Sequence, residues 1–314
     1  MTASSLSART PSRAETQGEL SRGLAYYPGC SLHSTAAEFS LSTRAISAAL
    51  GVELTELEDW NCCGASSGHA LDPFLAYALP LRNLILAQRE GRDLLAPCAA
   101  CYHALRSAQA ALGVGDASSG LAQRLQEEMQ AVMGETYQGK VKVYHIVDLL
   151  AQPEIKDRLS RRILRPLDGL PVVAYYGCLL TRPPRVVSFE ANPEQPRLMD
   201  EILAVLGAKA LPWTHKTECC GASLAISNPG LVEELVGRIV AAARRAGALA
   251  IVTACPLCQS NLDSRQKQVP GLSSALPVFY LTELVGLALG LPGGGWWRRH
   301  LVSVERLVAA AAGT

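Results

Sequence analysis

Ten cysteines, arranged as two copies of one five-cysteine pattern, are the residues of this chain best suited to chemistry. The first copy is Cys30, the adjacent pair Cys62-Cys63 followed by Gly64, and Cys98-Ala99-Ala100-Cys101. The second is Cys178, then Cys219-Cys220-Gly221, then Cys255-Pro256-Leu257-Cys258. The same 34 residues separate Cys63 from Cys98 and Cys220 from Cys255, and no cysteine is left over. Each half therefore gathers five thiols at one place.

Thiolates grouped in this way bind zinc or an iron–sulfur cluster. Structural zinc closes a tetrahedron with four ligands, so a fifth cysteine has no role there. Two adjacent cysteines also fit one tetrahedron poorly, whereas neighbouring sulfurs grip different irons of a cluster with ease. Iron–sulfur chemistry is favoured on both counts. Cys98 and Cys101 sit three positions apart at the start of a predicted helix, where the N-terminus favours thiolates. A thioredoxin-like reading would use that pair but leave three cysteines of the half unexplained. Disulfides are disfavoured because the first 22 residues lack the apolar run of a secretory signal. Cysteines are often small buried hydrophobes, but that reading does not account for two matching sets.

The elements that must position these thiols repeat as well. Tyr26-Tyr27-Pro28-Gly29-Cys30 recurs as Tyr175-Tyr176-Gly177-Cys178, and Cys62-Cys63-Gly64-Ala65-Ser66 recurs identically as Cys219-Cys220-Gly221-Ala222-Ser223. Residues 143–150, with His145 near a strand end, are echoed by residues 278–285, with Tyr280 in the matching place. Apolar strands at residues 24–27 and 172–176 run into the Gly-Cys turns. Thr35 and Glu38 have the spacing of a capping box for a helix that Gly51 ends, and Gly207 ends its counterpart, whose face is Met199, Ile202, Leu203 and Leu206. Asp72-Pro73 and Asn228-Pro229 predict N-caps with proline at the first helical position. Val232, Leu235, Val236 and Ile239 form the face of the second of these helices, and Pro80 should kink the first or end it early. Buried strands at residues 93–97 and 248–253 then lead into the Cys-x-x-Cys pairs.

Alternating strands and helices predict an α/β fold: two pseudo-duplicated domains, each a small parallel sheet flanked by helices. The cysteines fall at strand C-terminal ends, where open α/β sheets place their ligands. We expect a disordered tail at 1–22, a first domain at 23–165 and a second at 166–314 with a C-terminal helix after the Gly293–Gly295 turn. Residues 113–120 read as a surface loop and 156–165 as a solvated helix. The 314 residues are 49% hydrophobic, ample for two cores, and carry a formal net charge of +1. That balance argues against a nucleic-acid surface. The apolar run at 281–291 contains Glu283 and is too short to span a bilayer. The expectation is a cytoplasmic protein in a reducing compartment.

The two Cys-x(31–40)-Cys-Cys-Gly-x(33)-Cys-x-x-Cys sets resemble the CCG domains in the B subunit of heterodisulfide reductase, from about Leu24 to Val308. The resemblance implies a non-cubane [4Fe-4S] cluster held by Cys30, Cys62, Cys63, Cys98 and Cys101. A second would be held by Cys178, Cys219, Cys220, Cys255 and Cys258, and no ligand is missing. It further implies an oxidoreductase component that cleaves or forms a disulfide, or transfers sulfur, by one-electron steps. The partners would be a ferredoxin-like protein and a flavoprotein, similar to the C and A components of that reductase. Composition favours a bacterial homologue, for which family relatives suggest a disulfide or persulfide substrate, lipoyl-bound sulfur among them, and a role in sulfur oxidation. The alternative is an electron-transfer CCG component of a succinate, glycolate, lactate or glycerol 3-phosphate dehydrogenase complex. Several such proteins carry a fused ferredoxin domain with closely spaced cysteine runs, which this chain lacks. His33, His103 and His145 are the candidate proton donors, with His69 and His215 also near cysteines in sequence. Gly29, Gly64, Gly177 and Gly221 are expected to let the backbone approach a cluster.

Overall fold

The computed structural model describes residues 23–65, 68–113, 120–187, 189–272 and 274–312. The expected N-terminal tail and most of the 113–120 loop lie outside the described residues.

Short strands, buried along almost their whole length, alternate with helices. This is the pattern of parallel sheets covered on both faces. In the first half β1 (Leu24–Tyr26) pairs in parallel with β2 (Leu54–Glu56) and β3 (Leu94–Leu95), and β3 with β4 (Val143–Tyr144). The sheet order is β2-β1-β3-β4. Between the strands run α1 (Gly29–His33), α2 (Ala37–Ala49), α3 (Gly68–Leu71), α4 (Leu75–Glu90), α5 (Ala99–Gly113) and α6 (Gly120–Met133). After β4 come α7 (Ile146–Ala151) and α8 (Pro153–Arg161). The second half repeats the sheet with β5 (Pro171–Tyr175), β6 (Lys209–Ala210), β7 (Ala250–Thr253) and β8 (Val278–Tyr280), in the order β6-β5-β7-β8. Its helices are α9 (Leu198–Val205), α10 (Pro229–Arg245), α11 (Pro256–Arg265), α12 (Leu281–Ala288) and α13 (Glu305–Ala312).

Most boundary signals hold. Gly51 and Gly207 adopt φ of 74° and 83° just past α2 and α9, and Met199, Ile202, Leu203 and Leu206 are fully buried. The Asn228 side chain accepts from the Leu231 amide with Pro229 at the first helical position. Three expectations need correction. No side-chain cap starts α2, which begins after Ala36; Glu38 is instead buried against the second half. Asp72 accepts from the Phe74 amide in a turn, and α4 starts two residues later than the Asp-Pro signal implies. That helix also runs unbroken through Pro80. Pro80 is buried between Ala78 and Leu81, so apolar packing offsets the one backbone bond it removes.

The two halves meet through the ends of β4 and β8. Phe39 of α2 stacks flat on Tyr280, ring centroids 4.3 Å apart at 2°, and Ser42 shares a 2.7 Å hydrogen bond with Thr282. Across the other side, α7 and α8 pack on α9, and Lys156 of α8 pairs with Glu201 of α9 at 2.7 Å. The 153–161 helix is solvated on its charged side and buries Ile155 and Leu159.

Candidate metal centre

The five cysteines of each half come together where the strands end. β1 runs into a left-handed turn at Gly29 (φ +64°), which places Cys30 in α1; β5 does the same through Gly177 (φ +67°) and Cys178. β3 and β7 deliver Cys98 and Cys255 to the first positions before α5 and α11, so Cys101 and Cys258 follow one helical turn later. The Cys-Cys pairs lie on the turn that precedes α4 or α10, closed by Gly64 and Gly221 at φ +73° and +76°.

Within this frame the sulfurs pair identically in both halves. Cys63 Sγ lies 3.5 Å from Cys101 Sγ, and Cys220 Sγ 3.6 Å from Cys258 Sγ. Cys62 and Cys30 are 3.9 Å apart, and Cys219 and Cys178 3.8 Å. All ten are free thiols. Cys63, Cys98 and Cys101 are buried beneath exposed Cys30 and Cys62; Cys220, Cys255 and Cys258 lie beneath exposed Cys219 and half-buried Cys178. Each site is thus a buried floor of three sulfurs with a two-sulfur rim open to solvent.

The close pairs divide their protons unequally. Hydrogen bonds from Cys101 and then Cys62 pull the Cys63 thiol down to about 3, against its burial, while the same bond to Cys63 pushes Cys101 up. In the second half Cys258 lowers Cys220, and Cys178 lowers Cys219 to about 6, helped by the Gly221 amide 3.3 Å from its sulfur. Thiolate character, the form that binds metal, is built into both Cys-Cys turns.

Glycine is required where backbone meets sulfur. A Cβ on Gly29 would stand 2.6 Å from Cys101 Sγ, and one on Gly177 would stand 3.0 Å from Cys258 Sγ. Gly64 and Gly221 admit the side chains of Leu79 and Leu235 as closely, so they serve packing of the turn on its helix rather than contact with sulfur.

Two tyrosines escape a reading of the cysteines alone. Tyr27 donates to the Asn61 carbonyl at 2.8 Å, and Tyr175 to the Glu218 carbonyl at 2.7 Å. Each of those carbonyls immediately precedes a Cys-Cys pair. Burial, then the nearby cysteines, pushes both phenols far above their ordinary range, so they remain donors. The visible signal is a tyrosine two residues before the Gly-Cys step in both repeats. Asn261 adds a second tie, donating from its buried amide to the Cys220 carbonyl at 2.5 Å.

The histidines separate. His33 is exposed at the rim, 3.2 Å from Glu56 and edge-on to Trp60. His103 is partly buried on α5, where burial pulls it below the ordinary imidazole range. His145 is fully buried at the seam between the halves, and desolvation pulls it down to about 4. His215 lies beside Trp213 on an exposed loop, and the side chain of His69 lies outside the described residues. A cavity of ≈ 310 Å³ opens beside Cys63 and Gly64, lined by Tyr77, Ala100, His103 and Ala104 of the first half and closed by Leu179 of the second.

The donor set can be tested against the cofactor it implies. Among the described residues, no three His, Cys, Asp or Glu side chains converge to hold one metal ion. The sulfurs instead come as pairs spread over a floor and a rim. Five thiols so placed fit a cofactor with several metal atoms, each reached by its own sulfurs.

A duplicated parallel α/β domain with five free thiols at its strand ends defines a cysteine-rich, cofactor-binding class of protein. The CCG cysteine-rich domain matches residues 24–106 and 172–263, and the chain belongs to that family. It is 33% identical over 279 residues to the 8-methylmenaquinol:fumarate reductase membrane anchor subunit of Wolinella succinogenes, covering 87% of this chain and 94% of that one. It is 31% identical over 273 residues to the B subunit of the ferredoxin/F420H2-dependent CoB-CoM heterodisulfide reductase of Methanosarcina acetivorans, covering 85% and 89%. A protein of Archaeoglobus profundus described as like the heterodisulfide reductase B subunit is 29% identical, covering 83% and 89%. A hypothetical protein from Helicobacter pylori shares the fold, with a TM-score of 0.71 at 12% identity over 90% of this chain and 52% of that one. Among the described residues, no helix is long and apolar enough to cross a membrane.

Proposed function

We propose that this chain is the iron–sulfur component of a heterodisulfide-reductase-like complex. Cys30, Cys62, Cys63, Cys98 and Cys101 would hold one [4Fe-4S] cluster, and Cys178, Cys219, Cys220, Cys255 and Cys258 a second, both of the non-cubane type. The clusters supply one-electron chemistry at a sulfur substrate. Reduction of that substrate consumes two electrons and two protons, RSSR + 2e⁻ + 2H⁺ giving two RSH, and the reverse forms the disulfide or acts on a persulfide. Electrons enter or leave through a ferredoxin-like and a flavoprotein partner.

The observation that carries this reading is the cavity against Cys63. It gives a slender substrate a place beside the thiolate-rich Cys-Cys turn, and Ala100, Ala104 and Leu179 make its walls apolar. Leu179 follows Cys178 directly, so both halves contribute to the same space. The small alanines leave room, the apolar lining excludes water, and His103 and Ser107 are polar groups on one wall. The tyrosine and glycine contacts hold the sulfurs where burial keeps them from solvent.

A second reading has its own support in the 33% identity to a fumarate reductase component. On that reading the chain relays electrons within a complex of the succinate dehydrogenase or fumarate reductase kind, and the cavity holds no sulfur substrate.

Iron and acid-labile sulfide in protein isolated without oxygen should each come to about eight per chain. Cys63→Ser and Cys220→Ser should each lose about half. Zinc in place of iron would sink both readings. Ala104→Phe, which fills the cavity, should abolish reduction of a lipoyl disulfide by a viologen donor while leaving the iron reducible. Unimpaired turnover in that variant, or no turnover in the wild type, would favour electron relay.

A further inference from the structure

The repeat is broken at one buried position. Where the second half has Tyr280 at the end of β8, the first has His145 at the end of β4. Tyr280 keeps its hydroxyl within its own half, 3.4 Å from Gln259 Oε1. His145 reaches across.

The tautomer follows from its two contacts. Nδ1 accepts from the Val147 amide at 3.3 Å, which caps α7 and leaves the ring proton on Nε2. Nε2 then donates to the carbonyl of Ala254 in the other half, 3.2 Å away. Ala254 immediately precedes Cys255. The ring also interacts with the backbone of Pro97, which immediately precedes Cys98. Tyr102, next to Cys101, meets the imidazole edge-on at 5.5 Å, and Phe189 of the second half stacks on it at 6.0 Å and 9°. A neutral imidazole thus touches the residue before the Cys-x-x-Cys pair in both halves.

We propose that His145 is a positioning residue that locks the Cys255 turn against the Cys98 turn and so sets the spacing and coupling of the two cysteine sites. The cluster part of this inference rests on the function proposed above. The backbone part does not. A flat ring with an acceptor and a donor on opposite edges caps α7 and bridges to Ala254 at once. Phenylalanine can do neither, whereas the glutamine amide nitrogen reaches about where Nε2 sits.

Two measurements on the full chain test the proposal. Hydrogen–deuterium exchange across residues 253–259 should speed up at least tenfold in His145→Phe and return towards wild type in His145→Gln, with or without iron bound. In the half-reduced protein, the magnetic splitting between the two clusters should change in His145→Phe at unchanged iron content and recover in His145→Gln. A purely structural role would lower stability without moving the splitting at full iron content. Unchanged exchange, or unchanged splitting at full iron content, would overturn the proposal. If the wild type proves free of iron, the cluster reading fails and the exchange measurement still decides the role of His145. Should His145→Phe not fold, Phe189→Leu removes the stacked ring but keeps the imidazole, and the same two readouts must shift in it for the proposal to stand.

Discussion

Replacing Gly29 by alanine asks whether backbone and sulfur are as close as the structure places them. The new Cβ would lie 2.6 Å from Cys101 Sγ. That sulfur has nowhere to go, because Cys101 is 3% exposed and its thiol is held by Cys63 and Cys98. An alanine at φ +64° costs about 1–2 kcal/mol in backbone conformation. Overpacking a buried contact adds about 1–3 kcal/mol, so the sum is about 2–5 kcal/mol. Gly177→Ala has nearly the same backbone cost, but its contact with Cys258 is looser at 3.0 Å, and about 1–3 kcal/mol is expected. Gly91→Ala is the control: φ is +63°, and nothing lies within 4 Å of the added carbon. Thermal unfolding of the three variants, free of metal, should rank Gly29→Ala lowest, then Gly177→Ala, then Gly91→Ala. At roughly 2–4 °C per kcal/mol for a unit of this size, the first should fall by about 4 °C or more. Iron bound in the first half should fall with it. Equal midpoints for Gly29→Ala and Gly91→Ala, with iron unchanged, would refute the sulfur–backbone contact and the cradle built on it.

Phe39→Ala removes a fully buried ring stacked on Tyr280 across the seam and should cost about 3–5 kcal/mol in urea unfolding. His145 titrates at about 4 in the folded chain, below its unfolded value near 6.5. Its contribution is therefore present above pH 6.5 and lost as pH falls towards 4, by about 3 kcal/mol at most. His145→Gln should flatten that part of the stability profile, measured by denaturant midpoints at stepped pH. Asn228→Ala should cost about 1 kcal/mol through loss of a helix cap, whereas Thr35→Ala, at the capping box that does not form, should leave the unfolding midpoint unchanged.

The repeat, the fold class and the gathering of cysteines could all be read in the chain. Spacing is a one-dimensional property, and 34 residues between thiols, twice over, is long enough to encode a whole helix and strand. The same holds for helix ends at Gly51 and Gly207, where a local left-handed turn admits little but glycine. Local signals failed where packing competes with them: Thr35 and Glu38 match a capping box, yet Glu38 is drawn into the contact between halves, and Pro80 is overruled by its buried neighbours. Which sulfur faces which, and which cysteines form the buried floor, was decided only in three dimensions, since α5 and α11 fold back over the Cys-Cys turns. The partners of Tyr27, Tyr175 and His145 were likewise beyond pattern, lying 34, 43 and 109 residues away along the chain. A hydrogen bond across such distances is set by how strands and halves dock, which the order of residues constrains only through the whole fold.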